Sequence, residues 1–183
     1  MEDHVCPWWM AYTFDNPLRR LLHNPRRMLS KHVRPGMTVL DVGCGMGHFS
    51  LGMARLVGSK GKVISVDLQR RMLVRVNKRA SRAGLAGIVH TRQCTLTRID
   101  VRDSIDFALA FWMVHETTEP KYFLQQIRTP LKSNGLLLIA EPRFHVGLDE
   151  FKQELTMAED VGFRVTGRPS VAMSHAALLS PLS

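Results

Sequence analysis

Between residues 36 and 179, short apolar runs alternate with stretches whose apolar positions recur every three or four residues. A strand buried on both faces is apolar throughout, whereas a helix repeats its apolar face at a period of 3.6. On that basis 38–42, 62–67, 88–92, 106–111 and 135–140 are predicted strands. The intervening 48–57, 69–83, 120–131 and 149–158 are predicted helices. Helix 69–83 is the most amphipathic. Arg70, Arg71, Arg75, Lys78, Arg79 and Arg82 share one face and Met72, Leu73, Val76, Ala80 and Ala83 another. In 120–131, Tyr122, Phe123 and Ile127 are expected to face inward, and Asp149 is expected to cap the last helix. Segments 163–166 and 171–178 flank Gly167-Arg168-Pro169-Ser170 and read as a hairpin.

Repeated strand–helix–strand units imply an α/β architecture, a doubly wound, mostly parallel sheet with helices on both faces. The closing hairpin is expected to add an antiparallel strand at the sheet edge. The first 35 residues differ in character. Cys6-Pro7-Trp8-Trp9 precedes Asn16-Pro17 and Asn24-Pro25, and each Asn-Pro pair puts a capping side chain before a proline at the first helical position. Two short helices are expected there. The division is therefore 1–35, a helical appendage, and 36–183, the domain.

At 183 residues the chain has room for one domain with a sizeable core. No apolar run approaches the ~20 residues of a membrane-spanning helix. Met1-Glu2-Asp3-His4 does not open a secretory signal, and three scattered cysteines make neither a disulfide scaffold nor a zinc site. A reducing cytoplasm is the expected compartment, and no metal is expected. Lys plus Arg number 25 against 16 Asp plus Glu, a net charge of +9. Such a balance suits a polyanion, an anionic membrane surface or a solvated basic face.

The chemistry is concentrated in Val39-Leu40-Asp41-Val42-Gly43-Cys44-Gly45-Met46-Gly47-His48-Phe49-Ser50. A strand runs into three alternating glycines and then a helix. Glycines permit a tight turn and close approach of a ligand to the backbone. Twenty residues after Gly47, Asp67 ends the second strand, where a carboxylate can accept both hydroxyls of a ribose. The spacing is GxGxG, and His48 stands where a dinucleotide fingerprint has glycine. Asp41 adds negative charge, which suits a cationic ligand end rather than a diphosphate.

Residues 39–50 with Asp67 resemble motif I and the acidic loop of class I S-adenosylmethionine-dependent methyltransferases. Asp106–His115 is similar to the fourth-strand segment of the small-molecule, quinone-biosynthesis and arsenite methyltransferase-like group, and 131–139 resembles its fifth strand. The resemblance spans roughly 36–179 and implies a Rossmann-like seven-stranded sheet with an antiparallel last strand. It implies S-adenosyl-L-methionine as cofactor. Asp41, Gly43, Cys44 and Gly45 would line its methionine part and Asp67 its ribose. Leu68, Phe111 and the backbone of Cys94, Thr95 and Leu96 would complete the cofactor site. Cys94 stands where many relatives have an Asp for the adenine amino group.

Methyl transfer from a sulfonium is an in-line displacement, and a base is needed only for an acceptor that must lose a proton. His115 is the candidate base. Glu141 and Arg143, after the fifth strand, are candidate substrate residues. Trp8, Trp9 and Tyr12 are candidates for an N-terminal lid over the acceptor. The expected partner is a small-molecule acceptor. A second subunit is an alternative way to complete the site, and an anionic membrane is a further surface for the N-terminal arginines. Two competing functions share the fold: nucleic-acid methylation and non-catalytic cofactor binding. The fourth strand ends in Phe111-Trp112-Met113-Val114, not in the Asn/Asp-Pro-Pro-Tyr/Phe signature of many amino-directed nucleic-acid enzymes, and no specific nucleic acid is expected.

Overall fold

A computed structural model of the protein describes residues 21–182. The predicted Asn16-Pro17 helix and Trp8, Trp9 and Tyr12 lie outside the described residues. The chain then runs α1 (Pro25–Leu29), β1 (Thr38–Val42), α2 (His48–Val57), β2 (Lys62–Asp67), α3 (Arg70–Arg82), β3 (Val89–Gln93) and β4 (Ile105–Phe111). A 3-10 turn (Val114–Glu116) leads into α4 (Pro120–Arg128), β5 (Leu131–Pro142), α5 (Leu148–Asp160), β6 (Phe163–Gly167) and β7 (Ser174–Pro181).

The seven strands form one sheet in the order β3-β2-β1-β4-β5-β7-β6. β1 through β5 are parallel, and β7 runs antiparallel to both β5 and β6. The antiparallel strand is therefore not at the edge, as the hairpin suggested. β7 inserts beside β5 and pairs with its backbone edge, and the five-residue β6 forms the edge of the sheet.

Alternation along the strands sorts the core into two layers. Val39 and Phe107 face Leu29, Val33, Phe49, Met53, Leu73 and Val76 on the α1–α3 side. Leu40, Val42, Ala108 and Ala110 face Phe123, Leu124, Ile127, Phe151 and Leu155 on the α4–α5 side. Each fully buried Val, Leu, Ile, Phe or Met among them contributes about 1.5–3 kcal/mol. Leu29 and Val33 are 0% and 2% exposed, so the end of the N-terminal segment shares this core. Its helix α1 starts as the Asn-Pro pair predicts: the Asn24 carboxamide oxygen accepts from the N–H groups of Arg26 and Arg27 at 3.0 and 3.2 Å.

Three smaller expectations fail. Tyr122 is 45% exposed, and Leu124, at 0%, takes the inward place. Ala83 caps α3 and is exposed rather than on its buried face. Gly147, not Asp149, is the N-cap of α5; its N–H is taken by the Glu150 carboxylate at 2.8 Å, and Asp149 falls in the first turn.

Candidate active site

The carboxyl ends of β1, β2, β4 and β5 converge where the strand order reverses between β1 and β4, the position at which open α/β sheets bind ligands. Gly43, Gly45 and Gly47 all have positive φ, +66°, +51° and +79°. A side chain at Gly43 would press on Met113, and one at Gly47 on Val76 of α3. A Cβ at Gly45 would meet nothing within 4 Å. The middle glycine thus opens the cradle, and the outer two close it against the protein.

Asp67 fixes that cradle. One carboxylate oxygen accepts the Gly45 N–H and the other the Gln69 N–H, both at 2.8 Å. Burial raises the carboxyl above the usual range, against the lowering effect of the two N–H groups. Each oxygen keeps a second lone pair for a hydroxyl. The Asp67 carbonyl accepts from the Cys94 N–H at 3.1 Å, and the Leu68 carbonyl accepts from the Gln93 side chain at 3.1 Å. Thr95 N–H is bonded to the Arg98 carbonyl, so of the three predicted adenine-side amides Leu96 is the one left to a ligand. From α4, Gln126 clamps this loop through Thr97 and Ile99. The Leu68 side chain is half-buried and Leu96 is 50% exposed beside it.

Asp41 is only 3% exposed and accepts a short hydrogen bond from Ser50 of α2; Ser65 of β2 donates in turn to Ser50 at 2.9 Å. Its carboxylate sits beneath the glycine loop. The two serines were not among the predicted site residues, although each interrupts an apolar stretch. Cys44 is buried, and burial, with the charges of Asp41 and Asp67, pushes its thiol well up. Burial raises the Cys94 thiol to about 11. Both are neutral at pH 7, which suits packing rather than nucleophilic attack.

The other half of the site follows β4. Phe111 is buried in an aromatic cluster, 4.5 Å from Phe49 and 5.0 Å from His23 by ring centroids. Trp112 has φ +58°, donates its indole N–H to Ser174 at 2.8 Å, and meets Phe144 edge-on at 5.3 Å. Phe144 and His145 continue this wall, and His145 stacks on His115 at 5.9 Å. Phe144 is 53% exposed.

Glu141 organises this end. It is 0% exposed; one oxygen accepts the N–H groups of Val114 and Met113 at 2.9 and 3.3 Å, and the other is bonded to His115 Nδ1. A carboxylate at Nδ1 places the donated proton there and leaves Nε2 as the acceptor nitrogen. Burial lowers the His115 pKa, but the hydrogen bond and charge of Glu141, with Glu116 and Glu154, outweigh it and the net shift is upward. Arg143 lies on the rim with Nε donating to the Ser174 carbonyl at 3.0 Å. Among the described residues no cluster of His, Cys, Asp or Glu is arranged to hold a metal ion.

A glycine cradle beside a ribose-type carboxylate, facing a carboxylate-held histidine, fits a nucleoside donor and an acceptor that loses a proton. The profile of a family described as "Methyltransferase domain" matches residues 33–171. The chain belongs to this methyltransferase family. A solved SAM-dependent methyltransferase from Aquifex aeolicus superposes with a TM-score of 0.86 at 26% identity, covering 98% of this chain and 100% of that one. A ubiquinone biosynthesis O-methyltransferase of Bradyrhizobium diazoefficiens is 30% identical over 136 residues, 74% of this chain and 51% of its own length. A ubiquinone/menaquinone biosynthesis C-methyltransferase of Cellvibrio japonicus is 34% identical over 110 residues, 60% of this chain and 44% of its own. The methyltransferase thus spans about half the length of the curated relatives it matches.

The Aquifex aeolicus protein is described as SAM-dependent, and the residues of this cradle have the chemistry to receive such a nucleoside. The open Cα face of Gly45 lets a ligand approach the backbone, and Asp67 supplies acceptors for a diol. No helix among the described residues is long and apolar enough to cross a membrane.

Proposed function

We propose that this chain transfers the methyl group of S-adenosylmethionine to a small-molecule acceptor bearing an acidic O–H or C–H, such as a ring of the quinol class. The observation that carries this reading is the bond of the buried Glu141 to the partly exposed His115, two residues after the Met113 that lies against Gly43. S-adenosylmethionine supplies an already activated methyl group when bound. Asp67 orients the nucleoside and Asp41 adds charge beneath the sulfonium end. Met113, against Gly43, marks the boundary between donor and acceptor. His115 Nε2 takes the acceptor's proton as the new bond to the methyl carbon forms, while Glu141 fixes the ring and stabilises the imidazolium. Trp112, Phe144 and His145 offer aromatic edges and faces against which a ring can lie. The names of the quinone-biosynthesis relatives favour this acceptor class.

In this reading the part of the N-terminal segment that precedes the core-packed helix α1 forms a lid, with Trp8, Trp9 and Tyr12 over the acceptor and Arg143 at the rim. The proposed setting is cytoplasmic. Association into a homodimer, or with an anionic membrane for a lipid-like acceptor, belongs to the same proposal. The experiment is a panel of quinols, phenols, thiols, arsenite and RNA assayed for S-adenosylhomocysteine, in the full chain and in a chain lacking residues 1–20, which spares the buried His23 and Leu29. Turnover on a quinol or phenol, lost on truncation with cofactor binding kept, is expected. Turnover on RNA alone would overturn the reading.

A further inference from the structure

Glu154 of α5 is an acidic residue yet only 7% exposed, and its Oε2 is buried with no hydrogen-bond partner. Nothing in the donor site uses it. It occupies the apolar stripe of its helix: Phe151, Glu154, Leu155 and Ala158 are the buried residues of α5, spaced as one face. That helix packs against β6 and α4, and its Phe151 reaches His175 of β7. Phe151, three residues before Glu154, stacks at 5.6 Å on His175, which pairs across the strands with Glu141. Glu154 is accordingly brought behind the Glu141–His115 pair, within electrostatic reach of both.

We propose that Glu154 is a positioning residue of the acceptor site, a second carboxyl group that works through His115 to hold the proton taken from the acceptor until product leaves. The proposal rests on the reading of His115 as the base. The charge balance is complete within the protein. The acceptor gives its proton to His115 Nε2, its electron pair forms the bond to the methyl carbon, and the sulfonium becomes a neutral thioether. An imidazolium is left facing two carboxyl groups, Glu141 through Nδ1–H and Glu154 from α5. The other titratable groups around it are Glu116 on the same turn, His145 stacked on the ring, His175 on β7 and Glu150 on the helix of Glu154. Burial, then the Glu141 charge, raises the Glu154 carboxyl to about 8, while a charged His115 lowers it. A proton arriving on the imidazole thus favours the ionised form of Glu154, whose negative charge in turn stabilises the imidazolium until product leaves.

The test is the imidazole titration of His115, followed by NMR in the wild-type chain, E154Q and E154L, with S-adenosylhomocysteine binding as the check on folding. Q keeps the shape and L keeps the packing, so the two differ in what they do to the fold and agree in removing the group that can ionise in response to His115. The His115 midpoint is expected to move to lower pH in both, and the pH at which diethyl pyrocarbonate acylates His115 should move with it. As a weaker base, His115 should then support a kcat lower by up to about tenfold on whichever acceptor of the panel turns over. An unmoved midpoint in a folded variant overturns the proposal and leaves the base reading standing. A full kcat in H115Q overturns both.

Discussion

Replacing Asp67 by Asn tests whether the donor site is built on a carboxylate or merely on a polar residue. The two carboxylate oxygens each accept a backbone N–H at 2.8 Å, from Gly45 on one side and Gln69 on the other. A carboxamide has one oxygen and one NH2, so whichever way it turns, a donor faces a donor. One charge-assisted bond is lost and the other becomes neutral. Bonds to charged groups contribute about 1.5–3 kcal/mol each and neutral ones about 1. Against this, burial already makes the ionised Asp67 costly, as its raised pKa shows. The expected net loss of stability is therefore about 2 kcal/mol, measurable by urea unfolding. For ligand affinity the loss is larger in kind, because the Gly45 cradle and the diol share the same oxygens. Weakening of S-adenosylhomocysteine binding by about 10–100-fold is expected by calorimetry, corresponding to about 1.4–2.7 kcal/mol. A folded D67N protein that binds with unchanged affinity would refute the assignment of Asp67 to the ribose.

Gly45→Val should abolish binding while leaving most of the fold, since a β-branched residue at φ +51° is strained and its side chain fills the open cradle; retained calorimetric affinity would argue against ligand approach there. Glu141→Gln should lower kcat by about 10²-fold or more with little change in cofactor affinity, because the carboxamide no longer fixes the Nδ1–H tautomer of His115. Glu141→Ala should in addition cost about 2–4 kcal/mol of stability by orphaning the buried Val114 and Met113 N–H groups. For Glu154 the sign is set by a folded-state value of about 8 against an ordinary 4.5. The unfolded chain gives up this proton first, so wild-type stability should fall as pH rises from 4.5 to 8. The ceiling is about 5 kcal/mol and screening brings it to about 2. E154Q should gain on wild type by that amount between pH 5 and pH 8 in urea titrations, and parallel curves would contradict the burial of this carboxyl.

The sequence was legible where local patterns decide structure. The spans 38–42, 48–57 and 62–67 coincide with β1, α2 and β2, because each apolar run is bounded by glycine, proline or a capping position. β5 was read as 135–140 but runs from Leu131 to Pro142. Its Lys132-Ser133-Asn134-Gly135 stretch has turn composition, and only pairing with β4, through an irregularity between Ile105 and Phe107, makes it strand. Asp106 began a motif-like stretch, yet its carboxylate ties the Thr38 N–H and Lys132 at the end of the sheet remote from the site. The placement of β7 between β5 and β6 is likewise a tertiary fact. His115 and Glu141 were each visible as polar residues following strands, 26 positions apart, but their bond exists only because β4 and β5 are neighbours. Glu154 had a readable signal, an acid inside the Phe151, Leu155, Ala158 stripe, which reading the helix for its cap alone passed over.

The two halves of the site are held by different physics, and that explains why one of them carries a motif. The donor half depends on backbone conformation: positive φ at three glycines and two N–H groups converging on Asp67. Such requirements restrict residue type tightly, so they leave a spaced pattern in the chain. The acceptor half depends on side chains from four separate elements, the turn after β4, the end of β5, α5 and β7, gathered by burial and hydrogen bonds. Any one of these positions tolerates several residue types provided its partners change with it. In the proposed reaction the fixed part, Glu141 with its three hydrogen-bond partners, would set where a proton goes. The exposed part, Phe144 with the edge of Trp112, sets what shape can lie against it. Acceptor specificity in this methyltransferase should therefore respond to substitutions at Phe144, whereas the pH dependence of transfer should respond to Glu141 and Glu154.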